Sequence, residues 1–419
     1  MGTLIHLQVD GLIVDWAKNN SGNDHRSLFQ ESDRIRITIE NDDEEDSVDY
    51  EYDALARPLS RIIPRLNLLG STIETARAEY NALLVEYSDS PVHAGEDLSG
   101  VMSFDEFCEF VGRYSIESLD DNYVGSNGSS VGDVRGRFID VEEDFSRLPN
   151  FCADSYWSEK SYFASRICCL SVYSMLQVFG CSENNINARV VWDYGSLVDA
   201  GWASNEEFTP GAIRSNTILV ATEGSTDSRI IKRAFSALCP DLEDFFRFVD
   251  VDERHPFWGT GNLVKFAEGL VRIDIQNKVL FILDNDAEGV DAMMRLKELA
   301  MPSNMRAMLL PDDDTLFRFP AIGPEGTRES NINGRAAAIE CYLDLRLPNQ
   351  PPAVVRWSNY KKDVDAWQGA LEYKETYMRY FLDQSIEALR KGDYDTLRLE
   401  RLLSAITAEA EELQKHHVV

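Results

Sequence analysis

VLFILDNDAEG, residues 279–289, decides how this chain is read. An apolar run of strand type, short enough for a strand buried on both faces, drives straight into Asp284 and Asp286, followed by Glu288 and Gly289. About sixty residues upstream TILVAT, 217–222, runs in the same way into Glu223, Gly224, Ser225, Thr226 and Asp227. Like charges do not gather at the end of a buried strand without something to hold them.

The surroundings alternate strand and helix. TDSRIIKRAFSAL reads as a helix, FFRFVDV as a strand, and a helix near 262–269 follows the turn at Gly259 and Gly261. VDAMMRLKELA is a further helix and MRAMLLP a further strand. Strands spaced by helices of this length imply βαβ units and a mostly parallel sheet. In such sheets ligands sit at the carboxyl ends of the strands, where both acidic clusters fall. Asp227 falls in the first turn of a helix, where the helix dipole favours it. Gly224 and Gly289 suit turns that bring backbone close to a ligand. Carboxylates converging there call for a divalent cation, and hard oxygen ligands suit Mg2+ or Mn2+.

The pair of motifs, E-G-S-T-D before a helix and then an apolar strand with D-N-D-A-E-G, resembles the Toprim domain of primases, type IA and II topoisomerases and OLD-family nucleases. The resemblance implies that Glu223 does acid/base work or contacts metal, that Asp284 and Asp286 are metal ligands, and that Asp227 accompanies them. The competing reading is an acidic surface on a generic doubly wound domain, since Asp and Glu often cap helices after strands. Downstream, Glu340 lies in an apolar stretch of helical pattern, IECYLDL, where an unpaired carboxylate is expensive. It resembles the glutamate that completes the metal site in OLD-like nucleases; otherwise it faces solvent. Lys374, in LEYKETYMRYF, is the candidate for the lysine such nucleases use to steady charge at the scissile phosphate. Lys361 and Lys362 compete with it, and each also reads as an ordinary surface lysine. The chemistry implied is hydrolysis of a phosphodiester in DNA or tRNA/RNA, with metal lowering the pKa of the attacking water.

The amino-terminal region reads differently. LIHLQV, Asp10-Gly11 and LIVDW form a hairpin signal, and RIRITI, 34–39, is a second alternating strand. KNNSGNDHRSLFQ is a polar loop holding Asp24 and His25, and the acidic run 40–51 reads as a solvated loop. The pattern turns helical after Pro64, again in SFDEFCEFVGRY behind a Ser cap, and most strongly over 158–180 as one helix closed by Gly180. Residues 120–137 are a long loop, and periodicity is lost near 208–215. GLIVDWAKNNSGNDHRSLFQ looks like the HEPN/Toprim-associated N-terminal domain, which precedes a HEPN or a Toprim module in bacterial proteins linked to defence against phage. A HEPN ribonuclease needs Arg and His about four to six residues apart, and no histidine here has such an arginine upstream, so the chemistry rests with the Toprim half. His25 contacts substrate or partner, or forms a local turn, the commoner role. No G-x-x-x-x-G-K-[ST] is present, so the ATPase that accompanies many OLD-family nucleases is absent, leaving activation to a separate protein partner or to a homodimer.

The expected organisation is therefore an α+β amino-terminal region over 1–212, a Toprim-type α/β domain over 213–350, and a helical carboxyl-terminal segment over 351–419. With 72 acidic against 41 basic residues, net −31, the chain repels nucleic acid on average. Handling it takes a local basic patch, bound metal or a basic partner. Seven cysteines, an odd number without a C-x-x-C pair, point to buried thiols in a reducing cytoplasm. No apolar run approaches the roughly 20 residues of a membrane span, and the first residues lack the pattern of a signal peptide. A primase-like or topoisomerase-like enzyme is the alternative within the Toprim class, and a haloacid-dehalogenase phosphatase would leave the Glu223 cluster unexplained. From a different class, a non-catalytic acidic interaction protein would use its negative surface to occupy a nucleic-acid-binding partner. Metal dependence separates the two classes.

Overall fold

Asp10 and Gly11 both take positive φ, 45° and 84°, so the chain reverses there in the primed turn that matches the twist of a hairpin. This hairpin opens the computed structural model, which describes residues 3–39, 50–89, 100–124, 133–149, 156–249, 259–347 and 350–415. They divide into two compact units, Met1–Ile213 and Arg214–Val419.

In the first unit β1 (Leu4–Val9), β2 (Leu12–Lys18), β3 (Arg34–Ile39) and β4 (Tyr50–Pro58) lead into α1 (Leu59–Leu68), α2 (Ile73–Asp89) and α3 (Phe104–Gly112). Then come α4 (Glu142–Ser146), α5 (Glu159–Ile167), α6 (Val172–Gly180), β5 (Arg189–Asp193) and α7 (Gly195–Asp199). The sheet is antiparallel in the order β2-β1-β5-β4-β3, so β5, unanticipated from its short VVWD core, is the central strand. The helices cover it with an aromatic core in which Phe138 stacks on Phe163 at 4.9 Å, with Phe110 and Phe145 alongside. Of the acidic run 40–51, residues 40–49 lie outside the described residues, and Glu51 belongs to β4. Residues 125–132 of the expected 120–137 loop also lie outside them.

Two helix boundaries differ from the sequence reading. Helix α1 begins at Leu59 and contains Pro64, rather than starting after it; as the sixth residue, Pro64 leaves one rung of the helix without its N–H. The stretch 158–180 is two helices bent by 108°, not one. The second follows directly on Ser171, whose N–H and hydroxyl, with the hydroxyl of Ser174, are taken by the Glu79 carboxylate. That carboxylate satisfies donors a continuous helix would have used internally.

The second unit begins with β6 (Ile218–Thr222), α8 (Ser225–Leu238), β7 (Phe246–Phe248), α9 (Thr260–Arg272), β8 (Lys278–Leu283), β9 (Asn285–Asp286), α10 (Ala287–Glu298) and β10 (Met305–Leu309). Strands β10-β8-β6-β7 form a parallel sheet in that order. All six residues of β8 are buried, which is why its sequence is a continuous rather than alternating apolar run. Val279, Phe281 and Leu283 pack with Leu263 and Ala267 of α9 and Ala292 and Leu296 of α10.

Beyond it lie β11 (Phe319–Gly323), β12 (Gly326–Ser330), β13 (Ala336–Ala337), β14 (Val355–Lys361) and β15 (Ala366–Leu371), then α11 (Lys374–Leu382), α12 (Ile386–Lys391) and α13 (Leu397–Lys415). The segment from 351 onward is thus not helical throughout: β14 and β15 form a hairpin in a second sheet, β12-β11-β14-β15, and helices begin only at Lys374. Among the described residues no single helix is long and apolar enough to cross a membrane.

Candidate functional site

The acids are gathered by two strand ends and one tight approach. Strands β6 and β8 are adjacent and in register, Thr222 opposite Ile282, so Glu223 and Asp284 leave the sheet side by side. The Glu223 carboxylate accepts a hydrogen bond of 3.0 Å from the Asp284 N–H. Asp284 Oδ1 in turn accepts from the Ile339 N–H at 3.0 Å, which brings in the next residue, Glu340. Asp286 caps α10, its Oδ1 accepting from the N–H groups of Glu288 at 2.9 Å and Gly289 at 2.8 Å. Asp227, in the first turn of α8, accepts from the Gly224 N–H at 2.9 Å.

Only one of the two motif glycines is demanded by space. A Cβ on Gly289 would stand 1.9 Å from the Asp284 carbonyl oxygen, so α10 packs on that backbone only without a side chain. A Cβ on Gly224 would lie 3.6 Å from Asp227 Oδ2, an ordinary contact, and its φ of −142° suits any residue.

Burial and mutual repulsion act on every one of these carboxyls. Glu223 is pushed up to about 8, first by burial and then by the Asp286 charge. Asp227 is pushed up to about 7 by burial and by Glu340, against the Gly224 N–H and the Lys374 ammonium, which pull it down. Asp284 lies well above the usual carboxylate range, through burial and the charges of Asp227, Glu223, Asp286 and Glu340. Asp286 is raised by burial against its hydrogen bonds to Gly289 and Gln368. Each cause is one of the three that shift a carboxyl, and burial leads in all four.

Glu340 is 4% exposed, so the reading that it faces solvent fails. It sits in a 3-10 turn, Ile339–Tyr342, rather than in a helix. Lys374 is exposed at the start of α11, near enough to Asp227 to act on its charge. Lys361 instead pairs with Glu288 at 3.0 Å, while Lys362 is exposed and takes no ion pair among the described residues. In kind, an all-oxygen set of carboxylates fits a hard divalent cation. As the side chains stand, no three His, Cys, Asp or Glu among the described residues are grouped around one ion position. Asp286 and Glu223 are instead turned into bonds with backbone N–H groups.

Sequence reasoning missed two contributors, Gln368 and Asn285, and weighed a third, Lys361, only as a competitor of Lys374. Gln368 of β15 donates to Asp286 Oδ2 at 2.6 Å and accepts from the Glu288 N–H at 3.1 Å. Asn285, 3% exposed, holds the turn between the two aspartates by donating to Asp312 at 2.7 Å and accepting from the Gly334 N–H at 2.9 Å. Lys361 reaches Glu288 from the same hairpin as Gln368. The signal for the hairpin was present in VVRWSNYK and AWQGAL, two β-rich runs around a polar turn. In the first unit His25 forms no mere turn: it is 2% exposed, bonded to Asp15 at 2.8 Å, and lies edge-on to Trp192 at 5.4 Å.

Fold and site together describe an α/β protein with a repelling carboxylate cluster at the carboxyl end of a parallel sheet, joined to an antiparallel α+β unit. The chain belongs to the HEPN/Toprim N-terminal domain family, the family model for HEPN/Toprim N-terminal domain 1 matching residues 1–216. No curated protein and no solved structure matches it.

Proposed function

We propose that the chain is a metal-dependent nuclease of the Toprim class, on its OLD-like branch, hydrolysing phosphodiester bonds in DNA or in tRNA/RNA. The observation that carries this reading is the convergence of Glu223, Asp227, Asp284, Asp286 and Glu340, whose charges oppose one another at the ends of adjacent parallel strands. Folding tolerates such repulsion where a cation relieves it. Glu223, Asp284, Asp286 and Glu340 would hold Mg2+ or Mn2+, with Asp227 beside them. The metal, when bound, polarises the phosphodiester and makes a water acidic enough to attack it. Lys374, exposed beside Asp227, would steady the charge that develops on the phosphate. The amino-terminal family, whose name couples it to Toprim modules, supports the Toprim reading. A role in defence against phage in the cytoplasm, with a protein partner or a second copy supplying the trigger, belongs to the same proposal.

The test is incubation of the purified chain with plasmid DNA and with total tRNA, in Mg2+, in Mn2+ and in chelator, beside Asp286→Ala. Metal-dependent cutting that disappears in the variant is the expected result, and the substrate cut names the class. Cutting that persists in chelator or in Asp286→Ala overturns the reading. One observation favours a second, non-catalytic reading, an acidic protein that occupies a nucleic-acid-binding partner: no three acids are grouped around one ion position among the described residues. On that reading calorimetry finds no Mg2+ or Mn2+ binding, and activity in the cell survives Asp286→Ala.

A further inference from the structure

We propose that the β14–β15 hairpin is the element that binds substrate, and that it takes an unpaired stretch of nucleic acid by stacking bases on Tyr360 and Trp367. This rests on the nuclease reading for its biological meaning, not for its physical test. The two residues are direct cross-strand partners, with ring centroids 5.7 Å apart at 69°. Both are solvent-exposed, Tyr360 by 44% and Trp367 by 43%. Trp357 on the same hairpin behaves otherwise, lying against Gly369, where a Cβ would stand 2.8 Å from its ring. A third ring, Tyr373, is 61% exposed and held by a left-handed φ of 58° immediately before Lys374. Such a backbone conformation costs a tyrosine of order 1–3 kcal/mol, and strain of this kind concentrates at functional sites.

The hairpin touches the acid cluster directly. Gln368, one residue from Trp367, bonds Asp286, and Lys361, one residue from Tyr360, pairs with Glu288. Successive strand residues face opposite ways, so the aromatic pair lies on the other face from Lys361 and Gln368. A strand stacked on the pair would therefore round the edge of the hairpin to bring its backbone to Lys361 and the carboxylates.

Charge selects the unpaired form. Between residues 355 and 375 four basic residues, Arg356, Lys361, Lys362 and Lys374, balance four acidic ones, Asp363, Asp365, Glu372 and Glu375. With Glu288, which Lys361 pairs, this ground is close to neutral on a chain of net −31, so a polyanion is repelled less here than elsewhere. Nor is it a basic patch: Arg356 is bound to Glu372 at 2.6 Å and Lys361 to Glu288. Duplex affinity comes mainly from phosphate contacts, which are scarce here. Stacking on exposed rings is the part of single-strand binding that does not come from cations, and any unpaired base offers it.

The experiment is anisotropy of labelled oligodeoxyuridylate, oligouridylate and a duplex of equal length with the full chain in chelator, so that hydrolysis is silent. Both single strands are expected to bind at least about tenfold tighter than the duplex. Trp367→Ala and Tyr360→Ala are expected to lose about tenfold each, with Trp367→Phe retaining most binding and circular dichroism unchanged. A preference between oligouridylate and oligodeoxyuridylate, which share the base, then names the sugar. Duplex binding as tight as single-strand binding, or single-strand binding indifferent to Trp367→Ala, overturns the proposal. So does a Trp367→Ala variant whose defect is loss of self-association by sedimentation, which would give this face to a second copy. Stacking without metal-dependent cutting defeats the nuclease reading alone, and metal-dependent cutting with duplex-preferring binding defeats this proposal alone.

Discussion

The side-chain amide of Gln368 donates a 2.6 Å hydrogen bond to Asp286 while its oxygen accepts from the N–H of Glu288 at 3.1 Å. One neutral residue on β15 thus fixes both the free oxygen of an aspartate and the first turn of the helix that this aspartate caps. Asp286 Oδ1 is already spent on Glu288 and Gly289, so Gln368 sets where Oδ2 points.

Gln368→Ala should therefore leave the fold intact and weaken metal binding or metal-dependent cutting about 10–100-fold, the usual effect of losing a partner that orients a ligand. Calorimetric titration with Mn2+ measures it. Gln368→Glu should be worse, because it adds a carboxylate beside Asp286 and Glu288. A Gln368→Ala protein with unchanged affinity would show that the amide orients nothing.

Asp284→Asn should separate repulsion from architecture. The Asp284 carboxyl is held well above its ordinary range by burial and by four neighbouring acids. Asparagine keeps an oxygen for the Ile339 N–H and removes the charge. In chelator above neutral pH the variant should melt higher than the wild type. Added Mg2+ should raise only the wild type, by about 2.7 kcal/mol when free metal is a hundredfold above Kd. Calorimetric melting with and without Mg2+ checks both, and an equal rise in both proteins would put the metal elsewhere.

These acids were legible because charge at the end of an apolar strand is costly and therefore conspicuous, and the parallel sheet was legible because β8 is buried on both faces. Gln368 was not, since an amide in a strand breaks no local rule; its role exists only once β15 is laid beside Asp286. The helix break near Ser171 was equally hidden, because the carboxylate that restarts the helix, Glu79, lies 92 residues away. Strand β5 escaped because three apolar residues, Val190, Val191 and Trp192, carry little weight until β1 and β4 flank them. Local pattern thus reported elements and charges, and long-range contacts decided where helices break and which neutral residues serve the site.

The motif glycines should behave oppositely. Gly289→Ala forces a Cβ to 1.9 Å from the Asp284 carbonyl oxygen, and backbone on both sides must move. The loss should be about 3 kcal/mol or more, at the upper end for overpacking. Gly224→Ala meets only an ordinary contact and should stay within about 1 kcal/mol of wild type. Urea unfolding of both variants distinguishes them; equal losses would mean that α10 does not pack on Asp284 as described.

In the amino-terminal unit the Asp33–Arg57 pair is 2.8 Å long, with side chains 4% and 0% exposed. Asp33 also accepts from the Gln30 N–H at 2.7 Å, and Gln30 accepts from Arg57 at 2.6 Å. Asp33→Ala would leave a guanidinium buried without its anion and should cost about 3–5 kcal/mol. Chemical denaturation measures it, and a loss below about 1 kcal/mol would mean that water reaches Arg57.

The thiol of Cys181 should titrate early. It is exposed at the end of α6, where its Sγ lies 3.4 Å from the Gln177 carbonyl oxygen, with Cys108 of α3 and Arg77 near enough to act on its charge. The Cys108 thiol first, and the Arg77 cation after it, overcome burial and bring it from an ordinary 9.0 down to about 7. A depressed value favours the thiolate in the folded state. The stability this lends is lost as pH falls through about 7, and above the ordinary thiol range it is offset by Cys108, which the same interaction and burial hold protonated. Reactivity follows the same fraction: alkylation of Cys181 by iodoacetamide should rise through a midpoint near 7 and level off by about pH 8, whereas an ordinary thiol is still climbing near 8.5. Cys168, Cys169 and Cys341, whose thiols burial pushes the other way, should stay unlabelled in the native protein. Peptide mass spectrometry after brief labelling at a series of pH values reads each site separately. Cys108→Ala removes that thiol and should move the Cys181 midpoint up by a unit or more toward the ordinary value, while Arg77→Gln moves it less, in keeping with the order of the two causes. A wild-type midpoint near 8.5, or one that Cys108→Ala leaves in place, would show that the two thiols do not act on each other across α3 and α6.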